Sequence, residues 1–178
     1  MTTPTDRLHE HADEYRRDAD DDRPLGAYSA LLAIYLLVVV VLALLGRRRL
    51  PERIQASDLA LGAAATFIAT RTVTKDAIMS PVRMAFTRYE GVSGPAELAE
   101  SVRATGWRHA VGELLTCPFC LSQWTATTLV AGIVVAPRLT RAAMSVLAIV
   151  GASDFLQLAY TSAQHAATGG EPKLTDPA

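Results

Sequence analysis

Residues 25–45 carry no charged side chain, and positions 36–45 are entirely Leu, Val and Ala. At 1.5 Å per residue such a helix reaches about 31 Å, enough to cross a hydrocarbon core of about 30 Å. Inside hydrocarbon every backbone N–H and C=O must be paired within the segment, so a run of this kind is a helix rather than a loop or an open strand. The triplet Arg47-Arg48-Arg49 closes it at headgroup level, and Tyr28 near its start suits an interfacial anchor. The long charge-free runs have no period-two alternation, which excludes a transmembrane barrel.

The same reasoning extends along the chain. Half of the 178 residues are hydrophobic and only 20% are charged, and the apolar ones fall in blocks without a polar face. A second span is expected at 58–74, with Asp58 as its cap. Its charge-free part, 59–70, is short, so Arg71 must snorkel or face a polar interior. Gly62, Ala63, Ala64, Ala65, Thr66 and Ala69 suit close helix packing. A third span is expected at 119–136. A fourth follows at 142–160 with Asp154 inside it, after a turn holding Pro137, Arg138 and Arg141. Between Lys75 and Glu113, the four-residue spacings Ile78/Val82/Phe86 and Leu98/Val102 predict short amphipathic helices on the membrane surface, divided by Gly91, Gly94 and Pro95. The expected fold class is therefore all-α, a small multi-span protein with about four transmembrane helices. Residues 1–24 read as an acidic, disordered tail, 25–45 as the first span and 57–160 as a membrane domain with three more. Residues 161–178, with Gly169-Gly170, Pro172 and Pro177, read as a disordered tail.

Charge decides the partners and the orientation. Residues 1–24 hold eight acidic side chains against four arginines, so the rest of a chain with formal charge −1 is basic, close to the ends of the apolar blocks. That suits anchoring in a lipid bilayer; no basic stripe with interleaved aromatics points to nucleic acid. The first apolar run is too long and too acidic in its approach for a signal peptide. With both termini in the cytoplasm, eleven basic residues lie inside and six outside, the bias of a multi-pass protein of the inner (plasma) membrane. The dense triplet after the first span argues the other way.

Both cysteines of the chain lie in Thr116-Cys117-Pro118-Phe119-Cys120, where the third span begins. Proline suits a first helical position, and unpaired amides with the helix dipole ease thiolate formation there. Cys117 and Cys120 can serve as a redox dithiol, as half of a zinc site shared by a homodimer or completed by His109, or as small side chains packed beneath Trp124, whose ring anchors at the interface. A zinc ion is the one cofactor this pattern admits. Haem or iron–sulfur chemistry would need further ligands, and Leu121 follows Cys120. His9 and His11 lie among carboxylates in the polar tail, and His109 and Glu113 are one helical turn apart.

A second constellation is polar: Arg71, Lys75, Asp76 and Arg83 at the end of the second span. It reads either as a cradle for a phosphate or lipid headgroup, or as a positively flanked helix end with an internal salt bridge. Asp154 is the third feature. A carboxylate within a span is costly unless paired, and Arg71 is its natural partner. No nucleophile elbow, phosphate loop or His-Glu-x-x-His helix occurs, so no catalytic set is legible.

Two stretches together carry a likeness. Thr70-Arg71-Thr72-Val73-Thr74-Lys75-Asp76-Ala77-Ile78-Met79-Ser80-Pro81-Val82-Arg83 follows the second span, and Glu113-Leu114-Leu115-Thr116-Cys117-Pro118-Phe119-Cys120-Leu121-Ser122-Gln123-Trp124 opens the third. They resemble a family of small bacterial integral membrane proteins of unknown function, marked by Thr-Arg-x-x-Thr-x-Asp-x-Ile-x-x-Pro-x-Arg and Cys-Pro-x-Cys-x-x-x-Trp elements. The matching positions are Thr70 or Thr72, Arg71, Thr74, Asp76, Ile78, Pro81, Arg83, Cys117, Pro118, Cys120 and Trp124. Ser122 and Gln123 depart from the glycine and aromatic found in many members. The likeness covers roughly residues 57–160 and implies the membrane architecture without an activity. The expectation is thus a structural or accessory membrane protein rather than an enzyme, acting with a second copy or another membrane protein. A thiol-active protein using Cys117 and Cys120 is the alternative.

Overall fold

The computed structural model describes residues 5–7, 9, 11, 13–14, 24–48, 54–103 and 105–168. Helix α1 spans Leu25–Gly46, α2 Ala56–Lys75 and, after a 3-10 turn at Ala77–Met79, the single turn α3 covers Ser80–Arg83. Strands β1 (Thr87–Gly94) and β2 (Glu97–Val102) follow. Helices α4 (Trp107–Thr116), α5 (Pro118–Val135) and α6 (Pro137–Thr168) complete the described chain.

Three helices are long and apolar enough to cross a membrane: Leu25–Gly46, Pro118–Val135 and Pro137–Ala167. α1 is apolar all round, and Leu32, Leu36, Leu37, Leu44 and Leu45 are exposed along it, as lipid-facing residues are. α2 is twenty residues long but holds Asp58, Arg71 and Lys75, and it is not among those three. Instead α2 packs against both α5 and α6, and α1 against α5. The core is small and centred on α2: Ala65, Ile133 and Met144 are buried, with Leu61, Leu129 and Leu147 around them.

Small residues set the helix spacing. A Cβ placed on Gly151 would lie 2.5 Å from Ile68 Cγ1, and one on Gly132 would lie 2.6 Å from Thr140 Oγ1. Hydroxyls within the helices bond back to their own backbone, as Thr70 Oγ1 does to Thr66 O and Thr74 Oγ1 to Thr70 O, both at 2.8 Å. Such bonds let polar side chains sit in an apolar bundle without stranded donors.

The all-α expectation is corrected by a two-stranded antiparallel hairpin. Leu98 and Val102 belong to β2 rather than to a surface helix, and Ile78 and Val82 sit in isolated helical turns. Thr87 pairs with Val102, Tyr89 with Glu100 and Val92 with Leu98, with irregularities between Tyr89 and Gly91 and between Val92 and Gly94. Gly91 at φ 145 absorbs the first of these. The turn is Gly94-Pro95-Ala96-Glu97, with Ala96 at φ 60 where a turn of this kind prefers glycine. Its apolar positions also fit a four-residue period over short lengths, which is why the spacing alone suggests helices. The Gly94-Pro95 pair is the sequence signal that marks the turn.

The helix expected at 142–160 begins at Pro137 and continues to Thr168, so the expected tail from 161 is helical over its first residues. The rest of that tail, and most of the acidic segment 1–24, lie outside the described residues; those described at 5–7, 9, 11 and 13–14 are helical.

Candidate functional site

The C-terminal turn of α2, the hairpin turn and the middle of α6 converge on Arg71. Its Nε donates to Glu97 Oε1 at 2.9 Å, Nη1 to Asp154 Oδ2 at 3.2 Å and Nη2 to the Pro95 carbonyl at 3.4 Å. Asp76 Oδ1 stands 4.0 Å from Nη1 and has no hydrogen-bond partner among the described residues. One guanidinium thus faces three carboxylates, and it ties the hairpin turn to both helices. Beside it a cleft of about 310 Å³ opens, lined by the charged side chains of Arg71, Lys75, Glu97 and Asp154 and by the rings of Phe67 and Phe155. Those two rings stack, centroids 6.1 Å apart at 16°. Lys75 has no ion-pair partner among the described residues.

Arg83 does not join this group. It is fully buried, and its fork closes on Glu100 of β2: Nη2 to Oε1 at 2.8 Å and Nε to Oε2 at 3.0 Å. Nη1 donates to the Val73 carbonyl at 2.7 Å. Thr87 Oγ1 donates to Glu100 Oε2 at 2.7 Å and Ser80 Oγ to Oε1 at 3.3 Å, so all four lone-pair sites of the carboxylate are engaged. The Arg83 guanidinium holds the Glu100 carboxyl below its ordinary 4.5, with the Thr87 and Ser80 hydroxyls helping against desolvation. Glu97 and Glu100 were not legible as partners, since they stand 26 and 17 residues from their arginines, and only the hairpin brings them back.

At the far end of α2, Asp58 receives a bidentate fork from Arg141 of α6, Nε to Oδ1 at 2.8 Å and Nη2 to Oδ2 at 2.7 Å. The sequence offset between partners is 83 here and 83 again for Arg71 and Asp154. α2 therefore runs parallel to α6, with ionic contacts about 20 Å apart along the axis at 1.5 Å per residue.

Cys117 is the N-cap of α5: its Sγ accepts the Cys120 amide at 3.2 Å, and Pro118 is the first helical residue. Cys117 is half-buried and Cys120 exposed, and both are free thiols. The cap answers one unpaired amide of the helix start. His109 Nε2 lies 3.5 Å from Glu113 Oε1, and the Tyr28 hydroxyl donates to Glu113 Oε2. Among the described residues no three His, Cys, Asp or Glu side chains stand close enough together to hold a metal ion. Trp124 lies within α5, edge-on to Tyr35 of α1 at 5.1 Å, and Tyr35 shares a hydrogen bond with Thr127 Oγ1 at 2.9 Å.

Comparison with known proteins adds a relative and a family. A sporulation protein of Bacillus subtilis (strain 168), YjcA, is 30% identical over 96 residues, which cover 52% of this chain and 81% of the relative. No solved structure matches the chain. The family model "Protein of unknown function (DUF1360)" matches residues 61–160, which hold α5, most of α2, most of α6 and the whole hairpin. The chain belongs to the DUF1360 family, whose function is unknown.

Proposed function

We propose that the chain is a four-span integral membrane protein with a structural or accessory role, α2 being the fourth span beside α1, α5 and α6. The observation that carries this reading is the matched pair of ionic contacts between α2 and α6, both at an offset of 83. A helix lying flat on the membrane has no reason to meet a spanning helix at two points about 20 Å apart along its axis. A helix inside a bundle does, because Asp58, Arg71, Asp154 and Arg141 would otherwise stand unpaired near hydrocarbon. Charges used in this way hold helices together and leave no proton or ion relay along the bundle.

The hairpin, α4, the start of α5 and the C-terminal end of α6 then share one side of the membrane, which the count of basic residues makes the cytoplasm. The hairpin, fastened by Arg71 and Arg83, is a rigid plate for a second copy or another membrane protein. The Bacillus subtilis relative is a sporulation protein, which suggests sporulation as the process in which such a part would act. In this reading Cys117 and Cys120 form a helix cap and need no metal.

The test is thiol accessibility in intact cells. Native Cys117 and Cys120 should react with a membrane-impermeant maleimide only after the cells are opened. In a variant without native cysteines, Gln55→Cys, next to the start of α2, should react in intact cells. If Gln55→Cys and the native thiols label from the same side, α2 does not cross and the reading fails.

A further inference from the structure

We infer that the cleft beside Arg71 binds a zwitterionic phospholipid with a primary ammonium headgroup, of the phosphatidylethanolamine kind; the inference rests on the four-span placement proposed above. The lining of the cleft is amphipathic. The stacked rings of Phe67 and Phe155 and four charged side chains line it together. That mixture suits a lipid at the boundary, with acyl chain against rings and headgroup among charges.

Charge selects the headgroup. The polar lining holds two cations, Arg71 and Lys75, and two carboxylates, Glu97 and Asp154. An anionic lipid meets as much repulsion as attraction there, whereas a dipolar headgroup can match both signs. The two cations are not equivalent. Arg71 is consumed by Glu97, Asp154 and the Pro95 carbonyl, while Lys75 has no ion-pair partner among the described residues and lines the same cleft. Lys75 is the group left for a phosphate.

The carboxylates are half used. Glu97 gives Oε1 and Asp154 gives Oδ2 to Arg71, and neither second oxygen receives a donor among the described residues. Both side chains keep partial exposure, 31% and 36%. Those oxygens can accept N–H donors from an ammonium, which a trimethylammonium lacks, so the site distinguishes ethanolamine from choline by hydrogen bonding. The volume of about 310 Å³ suits a headgroup with the first part of an acyl chain.

The experiment uses the full chain in detergent, with the fraction surviving a heat step followed against added lipid. Dioleoyl phosphatidylethanolamine should protect at about one tenth of the concentration needed for the phosphatidylcholine or phosphatidylglycerol with the same chains, the effect of one charge-assisted hydrogen bond. Water-soluble glycerophosphoethanolamine should protect weakly. Lys75→Gln should abolish the preference while melting without lipid within a few degrees of the parent, because Lys75 makes no ion pair among the described residues and only flanks a helix end. Equal protection by the three lipids, full protection by glycerophosphoethanolamine, or an intact preference in Lys75→Gln would each overturn the inference. If Lys75→Gln does not fold, the lipid series on the parent chain decides alone. Release of the protein from membranes by alkaline carbonate would instead defeat the four-span reading. Retention without lipid preference defeats only the headgroup site.

Discussion

Arg83 is the largest fully buried side chain among the described residues, and the consequence of cutting its fork can be worked from its contacts. Arg83→Met leaves Glu100, whose side chain is 6% exposed, as a buried carboxylate without its two guanidinium bonds. It also leaves the Val73 carbonyl without the 2.7 Å donor from Nη1. Removing one partner of a buried ion pair costs about 3–5 kcal/mol. At about 2–4 °C per kcal/mol for a chain of this size, that is a fall in Tm of roughly 6–20 °C. Glu100→Gln should fall in the same range, because it strands the cation instead. The double variant Arg83→Met/Glu100→Leu removes both charges and leaves mainly the Val73 carbonyl unpaired, a loss of about 1–3 kcal/mol. It should therefore be more stable than either single variant.

Thermal unfolding in detergent, followed by tryptophan emission, measures all three. The acid limb gives an independent check. Glu100 titrates below its ordinary 4.5 when folded, so its contribution is complete above about pH 4.5 and disappears as pH falls through the lower folded value. The parent should lose stability across that window, and Glu100→Gln should lack that part of the slope. A double variant as damaged as the sum of its parts, or single variants within 1 kcal/mol of the parent, would refute the view that this pair fastens the hairpin to α2.

Reversing Arg71 and Asp154 one at a time should destabilise the protein, and reversing both should partly restore it; additive damage in the same melting assay would speak against their coupling. Ala96→Gly should raise stability by about 0.5–1 kcal/mol, the relief of a left-handed alanine less the extra freedom of glycine in the unfolded chain. Gly151→Ala drives a methyl to 2.5 Å from Ile68 Cγ1 and should cost about 1–3 kcal/mol by parting α2 from α6, whereas Gly26→Ala, helical and with nothing within 4 Å, should not destabilise and should gain up to about 1 kcal/mol. Zinc measured on the purified chain should stay far below one ion per chain and be unchanged by Cys117→Ser; stoichiometric zinc lost in that variant would revive the shared metal site.

The sequence by itself determined the long helices, because a backbone in hydrocarbon has one local way to pair its polar groups, and charge-free length announces it. Residues 25–45 and 119–136 match α1 and α5 to within a residue or so at each end. The Arg71–Asp154 contact was legible for the same reason, since two charges in apolar runs have few other partners. Proline after Cys117 likewise announced where α5 starts. Tertiary structure decided the rest. Strands of eight and six residues carry too few apolar positions to separate a period of two from one of four, so the hairpin stayed hidden. With it stayed hidden the fate of the two arginines. Arg71 and Arg83 look alike in sequence, yet Glu97 and Glu100 stand three residues apart on β2, and each takes a different arginine. Only the folded hairpin separates an arginine at the rim of an open cleft from one sealed in the interior, because charge pairing acts through space and the chain order does not record it.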